Sequence, residues 1–146
     1  MTNKCSAAIA IASRFSIVVV LGITVNACGG VSTNPAPVCT GTTCACMAGA
    51  SCDVSTQTCG ASCTLGCAAQ STCAGACGDS CSVDCSEGAS CSITLGASGS
   101  ISCKANSTCH VTCAGDCSIS CADTADCQIK CAGDAAFHDV NGGGSC

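Results

Sequence analysis

Aromatic side chains are almost absent from this chain. Trp and Tyr do not occur, and Phe15 and Phe137 are the only Phe among 146 residues. A chain of this length has room for one domain, which would normally bury large aromatic and aliphatic side chains to offset the entropy of folding. The near absence of aromatics excludes an ordinary apolar core, so cross-links must supply part of the stability.

Positive charge and catalytic motifs are also scarce. Four Lys and Arg stand against nine Asp and Glu, and the formal net charge is −5, so we expect no binding of nucleic acid through phosphate contacts. His110 and His138 are the only His, and nothing matches a nucleophile elbow, a P-loop or a zincin helix. The sequence therefore predicts a protein that is not an enzyme and that needs no cofactor.

Cysteine is present in excess, with 22 residues, and most of them recur at intervals of 18. A fixed short period predicts a stack of identical structural units, and dense Cys in a small domain is typical of an oxidising compartment. The columns of the repeat are Cys67, Cys85, Cys103 and Cys121; Cys73, Cys91, Cys109 and Cys127; Cys59, Cys77, Cys113 and Cys131; and Cys63, Cys81 and Cys117.

The three-residue gaps between these Cys are of two alternating kinds. One kind has an aliphatic centre, as in Ser118-Ile119-Ser120, and the other is turn-like, as in Gly78-Asp79-Ser80. In a strand, Cys-x-Ile-x-Cys places both Cys and the Ile on one face. A helix also brings positions i and i+4 together, but β-branched centres and frequent Gly oppose it. We predict an all-β fold, a narrow two-sided β-solenoid of about four 18-residue coils cross-linked by disulfides.

Strand geometry restricts which Cys can pair. Residues four apart along a strand lie about 13 Å apart, whereas a disulfide tolerates Cα separations of up to about 7 Å. Pairing across a turn fits this limit, and two Cys of the repeat are replaced together by Leu95 and Gly99, as expected if those positions bond each other. Bonds between neighbouring coils are the alternative. The predicted bonds are Cys59–Cys63, Cys67–Cys73, Cys77–Cys81, Cys85–Cys91, Cys103–Cys109, Cys113–Cys117, Cys121–Cys127 and, because position 135 is Ala135, Cys131–Cys146.

The first residues have the pattern of an export signal. Lys4 and Arg14 precede an apolar run, residues 15–23, that is too short to span a bilayer and is typical of a signal-peptide helix. A transmembrane anchor is the alternative, but Asn26 and Gly29-Gly30 end the uncharged stretch.

The end of this run, Val25-Asn26-Ala27-Cys28, resembles the lipobox of bacterial lipoproteins. In that family signal peptidase II cleaves before the Cys, which becomes the lipidated N-terminus. The resemblance implies a lipid on Cys28 that binds the membrane, and Gly29 at the next position implies an exported protein of the bacterial outer membrane. Removal of residues 1–27 with Cys5, and lipidation of Cys28, would leave 20 Cys, an even number as a fully disulfide-bonded domain requires.

These observations divide the chain into five expected parts. They are a lipoprotein signal peptide at residues 1–27, a flexible tether at 28–38, a Cys-bearing N-terminal cap at 39–58, the repeat solenoid at 59–135 and a closing segment at 136–146.

Ligand binding is the alternative to a structural role. Thiolates suit soft metals, but export to an oxidising space removes thiolates, and Cys44-Ala45-Cys46 is the only C-x-C pair. Asp116 and Asp134 are spaced like the turn residues of calcium-binding β-rolls, although the Gly-rich turn of those repeats is missing.

The expected shape is similar to small disulfide-rich β-solenoids such as beetle antifreeze proteins, which present a flat Thr array to ice. Here the outward strand positions are richer in Ser, as at Ser100 and Ser102. Our interpretation is a lipid-anchored, non-catalytic cell-envelope protein with a structural or surface-interaction role. The alternative is a module that binds a metal ion, a polysaccharide or an ice-like surface.

Overall fold

Short strands joined by tight turns make up the described part of the chain, which in the computed structural model comprises residues 37–54 and 61–146. These ranges contain no α-helix. The predicted signal-peptide helix, Cys28 and Cys59 lie outside the described residues. The strands are β1 (Val38–Thr40), β2 (Thr43–Cys46), β3 (Ser51–Asp53), β4 (Thr64–Cys67), β5 (Thr72–Cys77), β6 (Ser82–Cys85), β7 (Ser90–Leu95), β8 (Gly99–Cys103), β9 (Thr108–Cys113), β10 (Cys117–Cys121), β11 (Asp126–Lys130), β12 (His138–Asp139) and β13 (Gly143–Ser145).

The strands form two sheets, and successive strands from β2 to β11 alternate between them. Sheet A has the order β1-β2-β4-β6-β8-β10-β13, and sheet B has the order β12-β11-β9-β7-β5-β3. Strands β2 to β11 pair in parallel within each sheet. A chain that passes from one sheet to the other at every turn is a two-sided β-solenoid, so the predicted fold class is confirmed.

Equivalent residues of neighbouring coils lie directly opposite one another. Val83 pairs with Ile101, and Ile101 with Ile119, at the 18-residue interval of the sequence. In sheet B, Cys91 pairs with Cys109 in the same way. The period of the sequence is therefore the length of one coil, and each repeated position becomes a column along the solenoid axis.

The solenoid has five coils in its described part, one more than the sequence predicted. β2 and β3 form the first coil, because Thr43 pairs with Thr64 and Ser51 pairs with Thr72. These partners are 21 residues apart rather than 18, since three additional residues precede Cys59 in the sequence. The segment predicted as an irregular cap thus contributes strands to both sheets.

The interior between the sheets consists of sulfur and small aliphatic side chains. Inward positions alternate with outward ones along strands such as β7 and β10, so their Cys and central aliphatic residue are buried on the same side. The central residues include Leu65, Val83, Ile101 and Ile119 in sheet A and Ile93, Val111 and Ile129 in sheet B, all with exposures of 4% or less. Burial of this apolar surface is the main non-covalent stabilisation available to so thin a structure.

Backbone hydrogen bonds join the turns of neighbouring coils, just as they join neighbouring strands. Ser80 and Ser98 have positive φ angles of 54° and 58° in the short turns. This left-handed conformation points their N–H groups along the axis, where they donate to the carbonyl oxygens of Ala97 and Asp116 in the next coil, at 2.8 and 2.6 Å. Backbone hydrogen bonds therefore link neighbouring coils at the turns as well as between strands.

Three antiparallel strands cover ends of the parallel stack. β1 pairs with β2 at one end of sheet A, and β13 pairs with β10 at the other. β12 pairs with β11 in sheet B. Such strands satisfy the backbone groups of what would otherwise be edges open to pairing with another chain.

Candidate functional site

The sequence-predicted Cys are paired across the turns rather than with the equivalent Cys of neighbouring coils. The turn from sheet A to sheet B has five residues between its Cys, and there the Cα atoms of each bonded pair lie 5.9–6.6 Å apart. The return turn has three residues between its Cys, with separations of 5.9 Å. The predicted pairs found in the structure are Cys67–Cys73, Cys77–Cys81, Cys85–Cys91, Cys103–Cys109, Cys113–Cys117, Cys121–Cys127 and Cys131–Cys146.

Two further disulfides were left open by the sequence analysis. Cys46 bonds Cys52, six residues on, which is the spacing of Cys67 and Cys73 and could have identified this pair. Cys39 bonds Cys44 between the antiparallel strands β1 and β2, and no repeat signals that pair. Cys63 is also disulfide-bonded, and its predicted partner Cys59 lies outside the described residues.

Packing explains why the short turn between positions 95 and 99 has no disulfide. Leu95 is fully buried, and a Cβ atom added at Gly99 would lie 2.9 Å from the Cβ of Leu95. One large side chain beside a residue with none therefore fills the volume that a disulfide occupies in the neighbouring coils. The paired replacement conserves packing while it removes a covalent bond.

Several Cys sulfurs lie close enough together to hold a metal ion, but they belong to disulfides. The sulfurs of Cys67, Cys73 and Cys91 lie within 4.8 Å of one another, and all three belong to disulfides. A soft metal is held by thiolates, so these groups would have to be reduced before they could bind one.

The two His and the turn carboxylates lie on the exposed surface near the last coils. The rings of His110 and Phe137 contact each other with centroids 5.8 Å apart. His138 Nε2 lies 3.4 Å from Asp134 Oδ2, which also accepts a hydrogen bond from the N–H of Cys131 at 3.0 Å. Asp134 thus stabilises its own turn, and Asp116 accepts the bond from Ser98 through its backbone oxygen. Both observations favour turn formation over a calcium site for these Asp residues.

The outer face of sheet A has a feature that the sequence analysis did not resolve. At one register position, all seven strands of the sheet have a hydroxyl side chain, and each is directly opposite the next. We call this set the hydroxyl column: Thr40, Thr43, Thr64, Ser82, Ser100, Ser118 and Ser145.

The rest of the sheet A face is close to neutral. The neighbouring column begins with the exposed Val38 and otherwise has mostly small side chains, and Asp84 is its one charged member in the described strands. The Asp84 carboxylate lies 3.5 Å from the Lys104 ammonium, which also donates to the Ser102 hydroxyl at 3.0 Å. Near the last coils, an open groove is lined by Ser98, Ser100, Asp116, Ser118 and Ser145.

The outer face of sheet B is more varied. Its hydroxyls at Ser51, Thr72, Ser90 and Thr108 end at Asp126, so the column changes chemistry in the last coil. There the Gln128 amide donates to the Asp139 carboxylate at 2.7 Å.

Comparison with protein-family models, curated proteins and solved structures finds no match to this chain. Within residues 37–54 and 61–146, no helix has the length and hydropathy needed to cross a bilayer.

Proposed function

We propose that this chain is a lipid-anchored, non-catalytic protein of the bacterial cell envelope, in which the disulfide-linked solenoid acts as a rigid structural or surface-interaction element. The observation that carries the proposal is the disulfide found at the long turn of every described coil. Covalent closure of each coil suits a protein that must keep its shape outside the reducing cytoplasm.

The proposed location is supported by the N-terminal sequence and by the disulfide-rich fold. A disulfide-rich domain is compatible with export, and the lipobox-like Val25-Asn26-Ala27-Cys28 supports lipid attachment at Cys28. Gly29 supports the outer membrane as the destination. Residues 29–38, with Gly29-Gly30 and Pro35-Ala36-Pro37, have the composition of a tether between the lipid and the solenoid.

A non-catalytic role is supported by the distribution of titratable groups. Among the described residues, the hydroxyls of the sheet A column make no hydrogen bond to a carboxylate or an imidazole, while His110 contacts Phe137 and His138 faces a turn carboxylate. Nucleophilic catalysis needs a nucleophile within hydrogen-bonding distance of a base. The described surface instead offers repeated, small polar groups on a rigid frame, as a scaffold or a binding face does.

Of the ligand-binding alternatives, a polysaccharide is favoured over a soft metal. Soft metals need thiolates, whereas the described Cys are held in disulfides. The hydroxyl column, in contrast, is exposed over most of its length.

The anchor is tested by replacing Cys28 in cells that have an outer membrane. We expect Cys28→Ala to abolish incorporation of a labelled fatty acid and to release the protein from the membrane fraction, because the lipid is attached to that sulfur. Cys5→Ala is the matched control, since Cys5 lies in the segment expected to be removed, and it should keep both label and membrane location. Fatty-acid label on the Cys28→Ala protein would overturn the proposed anchor.

A further inference from the structure

The hydroxyl column is continuous across sheet A. It includes the antiparallel strands β1 and β13 as well as the five parallel strands between them, with Thr40 opposite Thr43 at one end and Ser118 opposite Ser145 at the other. Neighbouring strands are about 4.8 Å apart, so a hydroxyl recurs at that interval along the axis. The adjacent column on the same face is not uniform, since Ala45, Gly66 and Asp84 occupy equivalent positions there.

The hydroxyls of the column are directed to the surroundings. Six of the seven residues are exposed and Ser100 is half-buried. In contrast to Ser107, whose hydroxyl donates to the Lys104 carbonyl oxygen at 2.6 Å, they have solvent-facing side chains at outward strand positions. Each hydroxyl offers one donor and two acceptor positions to a ligand.

The composition of the face limits the kind of partner. Protein interfaces are enriched in aromatic residues, Met and Arg, and none of these is in the column or its neighbour. Anionic polymers are bound by Lys and Arg, but Lys104, beside this face, is already 3.5 Å from Asp84. An uncharged partner with its own hydroxyl groups is what remains, and the groove at Asp116 adds a carboxylate that accepts hydrogen bonds from hydroxyls.

We infer that the sheet A face binds an extended, uncharged polysaccharide that lies along the hydroxyl column. A polymer with regularly repeated hydroxyls meets a regularly repeated array, so weak hydrogen bonds add along a rigid surface that loses little entropy on binding. This inference rests on the proposed surface-interaction role and names its ligand class.

The test is a binding assay with the oxidised full-length protein and insoluble cellulose, chitin and starch. We expect depletion of the protein from solution by at least one of these polymers. The triple variant Ser82→Ala, Ser100→Ala and Ser118→Ala should bind about tenfold more weakly or worse, because each change removes one hydrogen-bonding group. Ser51→Ala, Ser90→Ala and Ser92→Ala on sheet B form the matched control and should bind like the unaltered protein.

A second variant and measurements of folding distinguish a loss of binding from a loss of the fold. Ser100→Gln keeps a polar group but places a longer side chain at the middle of the column, and it should also weaken binding. Circular dichroism and intact mass under oxidising conditions verify the fold of each variant. Equal binding by the triple variant and its control would overturn the inference, as would no binding to any polymer or a protein that shapes ice crystals without binding polysaccharide. These results leave the anchor untouched, because lipidation of Cys28 is measured separately.

Discussion

Single residues show how packing and covalent bonds substitute for each other in this solenoid. Leu95 and Gly99 stand where the neighbouring coils have Cys77–Cys81 and Cys113–Cys117, whose Cα atoms are 5.9 Å apart. A buried Leu against a Gly occupies much the same volume as a disulfide, but it does not close the loop. The exchange explains why the two positions change together.

Restoring the missing bond should therefore stabilise the chain. Under oxidising conditions, Leu95→Cys with Gly99→Cys should close one further short turn with a disulfide and raise the free energy of unfolding by up to about 2 kcal/mol, the loop-closure value for a loop this short. Each single substitution should destabilise, Leu95→Cys by loss of buried volume and Gly99→Cys by crowding against Leu95, by about 1–3 kcal/mol.

The control is Leu95→Ser with Gly99→Ser, which has nearly the same shape and no bond. Denaturant unfolding compares the variants, and mass spectrometry counts the thiols. Free thiols at positions 95 and 99 in the folded double Cys variant would contradict the proposal that Leu95 and Gly99 occupy the place of a disulfide.

At the scale of the strand, the pairing of β13 with β10 depends on glycine. Gly143 has a φ of +151°, and a Cβ atom there would lie 2.7 Å from the carbonyl oxygen of Ile119. Only a residue without a side chain lets β13 approach β10 closely enough to pair. The end of sheet A is thus covered by a strand that most residue types could not form.

Gly143→Ala should separate β13 from β10 while Cys131–Cys146 keeps the segment tethered. Hydrogen exchange should then accelerate at backbone amides of β10, by a larger factor than in Gly142→Ala. Gly142 is the suitable comparison because its φ is also positive, at 79°, but a Cβ there meets nothing within 4 Å. Unchanged hydrogen exchange in β10 of the Gly143→Ala protein would show that β10 is not stabilised by its pairing with β13.

The repeated strands could be predicted because the signal is local. Cys-x-Ile-x-Cys at Cys117–Cys121 places its apolar side chains on one face in any extended chain, and the turn-like triplets separate one strand from the next. The first coil was missed because its partners are offset by 21 residues, which removes it from the repeat although Cys46 and Cys52 keep the spacing of the long turn.

The antiparallel strands at the ends of the sheets and the hydroxyl column could not be predicted from such a local signal. β13 is Gly143–Ser145, a segment whose composition is typical of a loop, and it pairs only because β10 is beside it. The outward Ser of β6, β8 and β10 were evident from the sequence. The continuity of the column needed the register of β1, β2 and β13, which depends on tertiary contacts.

In the whole molecule, two columns of disulfides join the two thin sheets at the turns. In the chain-entropy model, a loop of about five residues closed by a disulfide contributes about 2 kcal/mol, so several such loops offset a substantial part of the ordering entropy. Backbone hydrogen bonds between coils and the Val, Leu and Ile columns contribute the remainder. The long-turn disulfides lie within single coils, whereas Cys77–Cys81 and Cys113–Cys117 join successive coils at the short turns.

Disulfide mapping of the unreduced protein shows directly whether the Cys pair across the turns. Proteolysis under non-reducing conditions, followed by tandem mass spectrometry, should recover linked peptides in which each bond closes one turn, such as Cys85–Cys91 and Cys103–Cys109. Bonds between equivalent Cys of neighbouring coils, such as Cys85–Cys103, or Cys thiolates bound to a metal in the native protein, would contradict pairing across the turns.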